Sequence, residues 1–307
     1  MPDIEQRLHT DMLVVSAPID AALARQEVDL AQDYEYLLVT EPDAIVEALR
    51  MELLAGAQCL ALPTRDMTPA KLAHHGATDR LPALARAAYG LVHGGEEARP
   101  LTPQHLLVEI GFCGLPLDAS SKSSLNEHRD QYARSVRAFE ACGPFDAYLF
   151  SGFRDATALK CALMGARQAT DRPVFACVDA APDGFLASGR GAIEDVAAVA
   201  AEYGANAFGI ATDAPIDAVI GLVRRCRAAI DLPVIVEVDV REAERRVPGA
   251  LQAQAVPTAD ELARAALDLR AAGAEFLRAG GAATPAYTGA LAAVVTGLPA
   301  PACPADE

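Results

Sequence analysis

The chain has 307 residues, 52% hydrophobic and 22% charged, which is enough to build one large domain around a sizeable core. Its net charge of −16 argues against nucleic acid or an anionic membrane as a partner, since both need clustered Lys and Arg. The seven cysteines, at positions 59, 113, 142, 161, 177, 226 and 303, form no C-x-x-C pair. They sit mostly in apolar runs, as buried free thiols do, which points to a reducing, cytoplasmic setting. The N-terminus carries no basic-then-apolar leader, and no apolar run reaches the roughly 18 residues of a membrane span.

Short apolar runs alternate with longer stretches of helical period. The first predicted strand is Met12–Ala17, followed by a helix over Pro42–Ala55 that Gly56 closes. Cys59–Pro63 is the second strand, with helical stretches at Pro69–His75 and Leu81–Val92. Leu106–Ile110 precedes a helix near Leu125–Ala141, and Ala147–Ser151 precedes Ala156–Ala169. Pro173–Val178 pairs with Ile193–Tyr203, Ala207–Ala211 with Ile216–Ile230, Pro233–Val238 with Thr258–Ala272, and Glu275–Arg278 with Pro285–Thr296.

That makes eight strand–helix units. Strands alternating with helices imply a parallel sheet, and continuous apolar strands imply burial on both faces. Eight units in about 300 residues predict an α/β fold, a closed (β/α)₈ TIM barrel in one domain, residues 1–297. An open doubly wound sheet would carry a glycine-rich loop after its first strand; here that turn reads SAPIDAAL. A Gly-Ala pair recurs before strands, at Gly56-Ala57, Gly204-Ala205 and Gly273-Ala274, and marks helix ends. Residues 298–307 are expected to form a flexible Pro-rich tail. Glu242–Pro257 is long for a βα loop and is expected to cover the barrel mouth.

Six stretches in order resemble the homocysteine S-methyltransferase family, which includes the homocysteine-binding module of cobalamin-dependent methionine synthase. EPDAIVEALRMELLAGAQCLALPT is similar to the family stretch that ends in TNTF, and HGATDRLPALARAAYGLV to the helix that follows. FDAYLFSGFRDATALKCALMGARQATDRPVFACV resembles the strand 4–helix 4–strand 5 unit. GANAFGIATDAP resembles GADAIGLNCSxGP, DLPVIVEVDVRE resembles LPVIVxPNAG, and GAEFLRAGGAATPAYTGAL resembles GAxxIGGCCGTTPEHIxAL.

The resemblance implies methyltransfer to homocysteine, in methionine biosynthesis and one-carbon metabolism. It also implies a zinc ion held by three thiolates, one after strand 6 and two after strand 8. Zinc is needed because a free thiol, with a pKa of about 8.5, is mostly protonated near neutrality, and coordination removes the proton. None of those cysteines is present. Ala211-Thr212 replaces the Asn-Cys pair, and counting back from Thr284-Pro285 places Arg278-Ala279-Gly280-Gly281 at the Gly-Gly-Cys-Cys stretch. A shift in register puts Ala282-Ala283 there instead. The three ligand positions thus hold Thr212, Gly280 and Gly281. The N-terminal DGAMGT motif becomes SAPIDAA, TNTF becomes Leu62-Pro63-Thr64-Arg65, and PNAG becomes Val238-Asp239-Val240-Arg241.

In such barrels the active site lies at the C-terminal ends of the strands. The residues expected there are Pro18, Thr64, Arg65, Cys113, Ser151, Arg154, Asp155, Asp179, Thr212, Asp213, Glu237, Asp239, Arg241, Arg278, Gly280 and Gly281. Cys113, Cys177 and Asp213 are the candidates for a different metal site, although Cys177 is expected to point into the wall and the six histidines offer no paired spacing. Asp179, Asp213, Glu237 and Asp239 could act as acid–base carboxylates or be neutralised by Arg154, Arg241 and Arg278, and salt bridges are the favoured reading. Gly280-Gly281, ahead of the helix that Pro285 opens, is the candidate phosphate cradle.

The expected function is a homocysteine S-methyltransferase-like protein with a degenerate zinc site that binds a small amino acid or thiol, non-classical or non-catalytic. The alternatives are an active methyltransferase making methionine with altered ligands, and an acid–base enzyme acting on a phosphorylated substrate. No cofactor is expected. The partners expected are a small-molecule ligand and, by resemblance, a corrinoid or folate methyl-carrier protein.

Overall fold

The computed structural model describes residues 3–28, 34–94, 100–240 and 257–300. Eight parallel strands close into a barrel in sequence order: β1 (Leu13–Val15), β2 (Cys59–Leu62), β3 (His105–Gly111), β4 (Ala147–Phe153), β5 (Val174–Asp179), β6 (Ala207–Thr212), β7 (Val234–Val240) and β8 (Ala274–Gly281). Closure runs through β1 against β8, with Val14 opposite Leu277. The fold is the expected (β/α)₈ barrel, and all eight predicted strands are present.

The helices are α1 (Ile4–Arg7), α2 (Asp20–Arg25), α3 (Tyr34–Thr40), α4 (Pro42–Ala55), α5 (Pro69–Ala73), α6 (Leu81–His93), α7 (Lys122–Glu140), α8 (Ala156–Ala166), α9 (Ile193–Glu202), α10 (Ile216–Ala229), α11 (Ala259–Ala272) and α12 (Pro285–Val295). The sequence reading did not contain α1, α2 or α3; each is seven residues or shorter, too short for a 3.6-residue period to emerge. Helix ends follow local chemistry. Pro42 and Pro285 occupy first turns, while Gly56 and Gly273 close α4 and α11 at φ 106° and 109°, the left-handed region. Thr258 and Glu261 form a capping box on α11.

Two apolar layers result from the two-residue period of the strands. Outward residues such as Val14, Leu60, Val108 and Phe150 pack under the helices. Inward residues, including Leu13, Leu107, Leu149, Phe175, Ile235 and Phe276, fill the lower barrel. Phe175 and Phe276 meet across it with ring centroids 5.3 Å apart. Ile4 and Leu8 join this inner cluster from the N-terminal segment. At the same end, on the rim opposite the mouth, buried His105 bridges Asp146 through Nδ1 (3.1 Å) and Arg7 through Nε2 (3.1 Å). No described helix is long and apolar enough to cross a membrane. The expected mouth-covering loop and most of the tail fall on residues 241–256 and 301–307, outside the described residues.

Candidate active site at the barrel mouth

Further up five of the strands, the inward face changes from apolar to polar or charged. Above Leu107 comes Glu109, above Leu149 comes Ser151, above Cys177 comes Asp179, above Ile235 come Glu237 and Asp239, and above Phe276 come Arg278 and Gly280. Arg278 is the hub. Its Nη2 donates to Glu109 Oε2 at 2.9 Å, its Nη1 reaches Glu109 Oε1 and Glu237 Oε2 at 3.3 Å each, and its Nε donates to the Ser16 carbonyl at 2.9 Å. All three charged side chains are buried. Ser151 Oγ donates to Glu109 Oε1 at 2.7 Å.

Electrostatics separate the carboxylates. Burial alone would raise Glu109, but the charge and hydrogen bonds of Arg278, with Arg65 and Ser151, outweigh it and hold Glu109 below the usual range. Glu237 goes the other way: burial pushes it up, and Arg278 offsets this only in part while Glu109 adds repulsion. Asp239 is pushed up to about 6 by burial and by the nearby charges of Glu237 and Asp179. Burial would lower Arg278, yet Glu109 and Glu237 raise it further, so it stays charged.

Arg65 shapes the space above. Its stem crosses the ends of β3 and β4, where Gly111 and Gly152 make room. A Cβ at Gly111 would lie 2.6 Å from Arg65 Cγ, and one at Gly152 would lie 2.6 Å from Nη2. Gly152 has φ +71° and sits where the β4–β5 register shifts between Phe150 and Phe153, so the irregular strand end creates the slot. Two adjoining cavities of about 350 and 310 Å³ share Pro18, Asp20, Arg65 and Gly152. The first reaches Ile19, Lys71, Phe112, Glu109 and Arg278; the second reaches Ser151, Arg154, Asp179, Glu237, Asp239 and Gly281.

Several expected residues lie elsewhere. Cys113 does not line the mouth: it is buried in the wall, with its N–H on Tyr132 Oη at 3.0 Å and its Sγ 3.7 Å from His128 Nδ1. Burial raises its thiol, so it is no thiolate donor. Cys177 belongs to the inner barrel cluster rather than the wall, a correction that follows from its even spacing with Phe175 and Asp179; burial raises its thiol as well. Thr64 is fully buried and donates to the Glu109 carbonyl at 2.7 Å, tying the end of β2 to β3. Thr212 accepts from the Ala214 N–H at 3.2 Å inside the turn after β6. Asp213 is half-buried in that turn. Asp155 caps α8 by accepting from the Thr157 and Ala158 N–H groups. Arg154 pairs with Asp179 at 2.7 Å, the salt-bridge reading; Arg241 lies outside the described residues.

The zinc that the resemblance implies does not fit these residues. Thr212 spends its hydroxyl on a turn, and Gly280 and Gly281 bring no donor. A Cβ on Gly280 would run into Glu237 Oε1 and Asp239 Oδ1, with Glu237 Cγ at 2.7 Å, so two carboxylates occupy the space a cysteine would use. No three His, Cys, Asp or Glu side chains among the described residues are placed to hold a metal ion. The phosphate cradle fares no better. The Ala282 and Ala283 N–H groups are spent on the Val240 and Gly280 carbonyls at 2.7 and 3.2 Å, and an anion there would face Glu237 and Asp239.

The sequence reading missed Glu109, Lys71, Asp20 and Phe112. Glu109 had a readable signal: it is the lone charge in an apolar strand and shares parity with Leu107, which directs it inward.

Comparison with known proteins agrees with the scaffold. The homocysteine S-methyltransferase family model matches residues 15–295. Crystal structures of the homocysteine methyltransferase MmuM from Escherichia coli superpose along nearly the whole chain. The metallated form has a TM-score of 0.73 at 19% identity, covering 93% of this chain and 97% of that one. The apo form has a TM-score of 0.68 at 18% identity, covering 93% and 96%. The carboxyl transferase domain of Rhizobium etli pyruvate carboxylase, with 3-bromopyruvate, shares the barrel at 9% identity and a TM-score of 0.51, covering 90% of this chain and 41% of that one. No curated protein sequence matches the chain. With the family model spanning nearly the entire barrel, the chain belongs to the homocysteine S-methyltransferase family.

Proposed function

We propose that this protein is a zinc-independent member of its family whose barrel mouth binds a small molecule by charge and hydrogen bonding, and that it does not perform methyl transfer to a zinc-bound thiolate. The observation that carries this reading is the pair of carboxylates, Glu237 and Asp239, in the space beside Gly280. A zinc ion would stabilise a thiolate; buried carboxylates do the opposite and raise a neighbouring thiol's pKa. The same residues that remove the metal therefore remove its chemical purpose.

The scaffold supports a place in one-carbon metabolism, in the cytoplasm, with a corrinoid or folate methyl-carrier protein as the partner to seek. The test is methionine formation from homocysteine and a methyl donor, with zinc supplied. No turnover above a protein-free control is expected; turnover that a chelator abolishes would overturn the reading.

A further inference from the structure

The residues at the mouth describe a ligand of a particular kind. Among the described residues, three guanidinium groups (Arg65, Arg154, Arg278) face five carboxylates (Asp20, Glu109, Asp179, Glu237, Asp239) across the two joined cavities. Lys71 is neutralised by Asp66 at 3.3 Å. Arg154 is taken by Asp179, and Arg278 is shared between Glu109 and Glu237. Among the described residues the mouth therefore has a surplus of negative charge at its deep end, where a family zinc would have supplied positive charge.

Two groups there are left with bonding capacity. Glu237 is more than nine-tenths buried, and only its Oε2 is engaged, by Arg278. Its Oε1, next to Asp239 Oδ1 at Gly280, accepts no hydrogen bond among the described residues, an expensive state unless a donor arrives. Arg65, at the junction of the cavities, is exposed to the cavity, and its guanidinium makes no hydrogen bond or ion pair with the described residues. Gly111 and Gly152 are shaped to hold it there. A planar fork held in place with its donors open is suited to a carboxylate. The cavity beside it, about 310 Å³, is at the small end of ligand pockets.

We infer that the mouth takes a small carboxylate with a cationic amine at its other end, the carboxylate on Arg65 and the amine on Glu237 and Asp239. An ammonium group supplies three donors to oxygens that lack them and offsets the negative charge locally, at the deep end, while the ligand's carboxylate lies apart on Arg65. A thiol supplies neither. This rests on the zinc-independent reading above and refines it: the deep subsite has exchanged affinity for a thiolate for affinity for a cation.

Titration calorimetry on the full chain, without zinc, tests this with the ω-amino acids from β-alanine to 5-aminovalerate, ornithine, butyrate, n-butylamine and homocysteine. At least one amino-carboxylate is expected to bind roughly tenfold or more tighter than butyrate and n-butylamine, because it makes a charged hydrogen-bonded contact that each of those lacks. Asp239→Asn should remove the advantage over butyrate, and Arg65→Gln the advantage over n-butylamine. The wild-type panel decides the matter even if a variant fails to fold. Zinc-free binding of homocysteine as tight as the best amine, or no binding by any amino-carboxylate, would overturn this inference alone. Homocysteine binding and turnover that require zinc would overturn the zinc-independent reading beneath it.

Discussion

Arg278, at the end of β8, donates to Glu109 across the barrel on β3 at 2.9 Å, and both side chains are more than nine-tenths exposed to protein rather than water. Glu237 on β7 shares the same guanidinium. One cation thus ties three strands together above the apolar layers. Removing it leaves two buried carboxylates unpaired, which costs on the order of 3–5 kcal/mol. Arg278→Ala is expected to lower stability by about that much in urea unfolding. A loss under about 1 kcal/mol would show that solvent reaches the pair.

Gly280 lies where an added side chain would meet the Glu237 and Asp239 carboxylates. Gly280→Ala puts a methyl group against the Glu237 and Asp239 carboxylates, and overpacking of this sort costs about 1–3 kcal/mol. Gly280→Cys should be at least as destabilising and should gain no zinc. Thermal unfolding of both variants checks this, with a neutral result in either counting against the geometry.

Asp239 gives the protein a pH signature. Its folded pKa, about 6, lies above the ordinary value of 3.8, so the folded chain holds a proton that the unfolded chain releases between about pH 4 and 6. This carboxylate therefore costs stability above pH 6, and the cost is relieved as pH falls towards 4. With solvent in the cavity the effect is on the order of 1–2 kcal/mol. Asp239→Asn should be the more stable protein above pH 7 by about that amount, and the difference should close near pH 4. Chemical denaturation at a series of pH values measures it; an unchanged difference across that window would exclude the assignment.

Glu52 is buried on α4 and accepts from the Ala17 N–H at 2.9 Å and the Thr288 hydroxyl at 2.6 Å, holding the segment after β1 to α12. That segment carries Pro18 and Asp20 to the mouth. Glu52→Gln keeps an acceptor and should be mild. Glu52→Ala leaves a buried N–H unsatisfied and should cost about 1–3 kcal/mol in unfolding experiments, with weaker ligand binding besides.

The barrel was legible because its strands are continuous apolar runs and its helices start at proline or threonine and end at glycine, as Pro42, Thr258, Gly56 and Gly273 show. The site was legible only in part. Strand placement brought Ser151, Asp179, Glu237, Asp239 and Arg278 to the mouth, since each lies at a strand's C-terminal end. It also nominated Cys113 and Thr212, whose side chains turn into the wall and a turn. Position along a strand sets height in the barrel; parity sets inside or outside. Applying parity would have added Glu109 and placed Cys177 in the interior. The Arg65 slot was beyond any pattern, because it depends on a register shift in β4 that puts Gly152 beneath a side chain from the β2–α5 loop.

The central claim is that carboxylates and a guanidinium have replaced the zinc centre. It is tested most directly by the zinc stoichiometry of the full chain purified from zinc-supplemented medium, measured by plasma emission before and after a weak chelator. The account predicts zinc far below one per chain, removed by that chelator with no change in unfolding temperature. One tightly held zinc per chain, whose removal lowers the unfolding temperature, would contradict it.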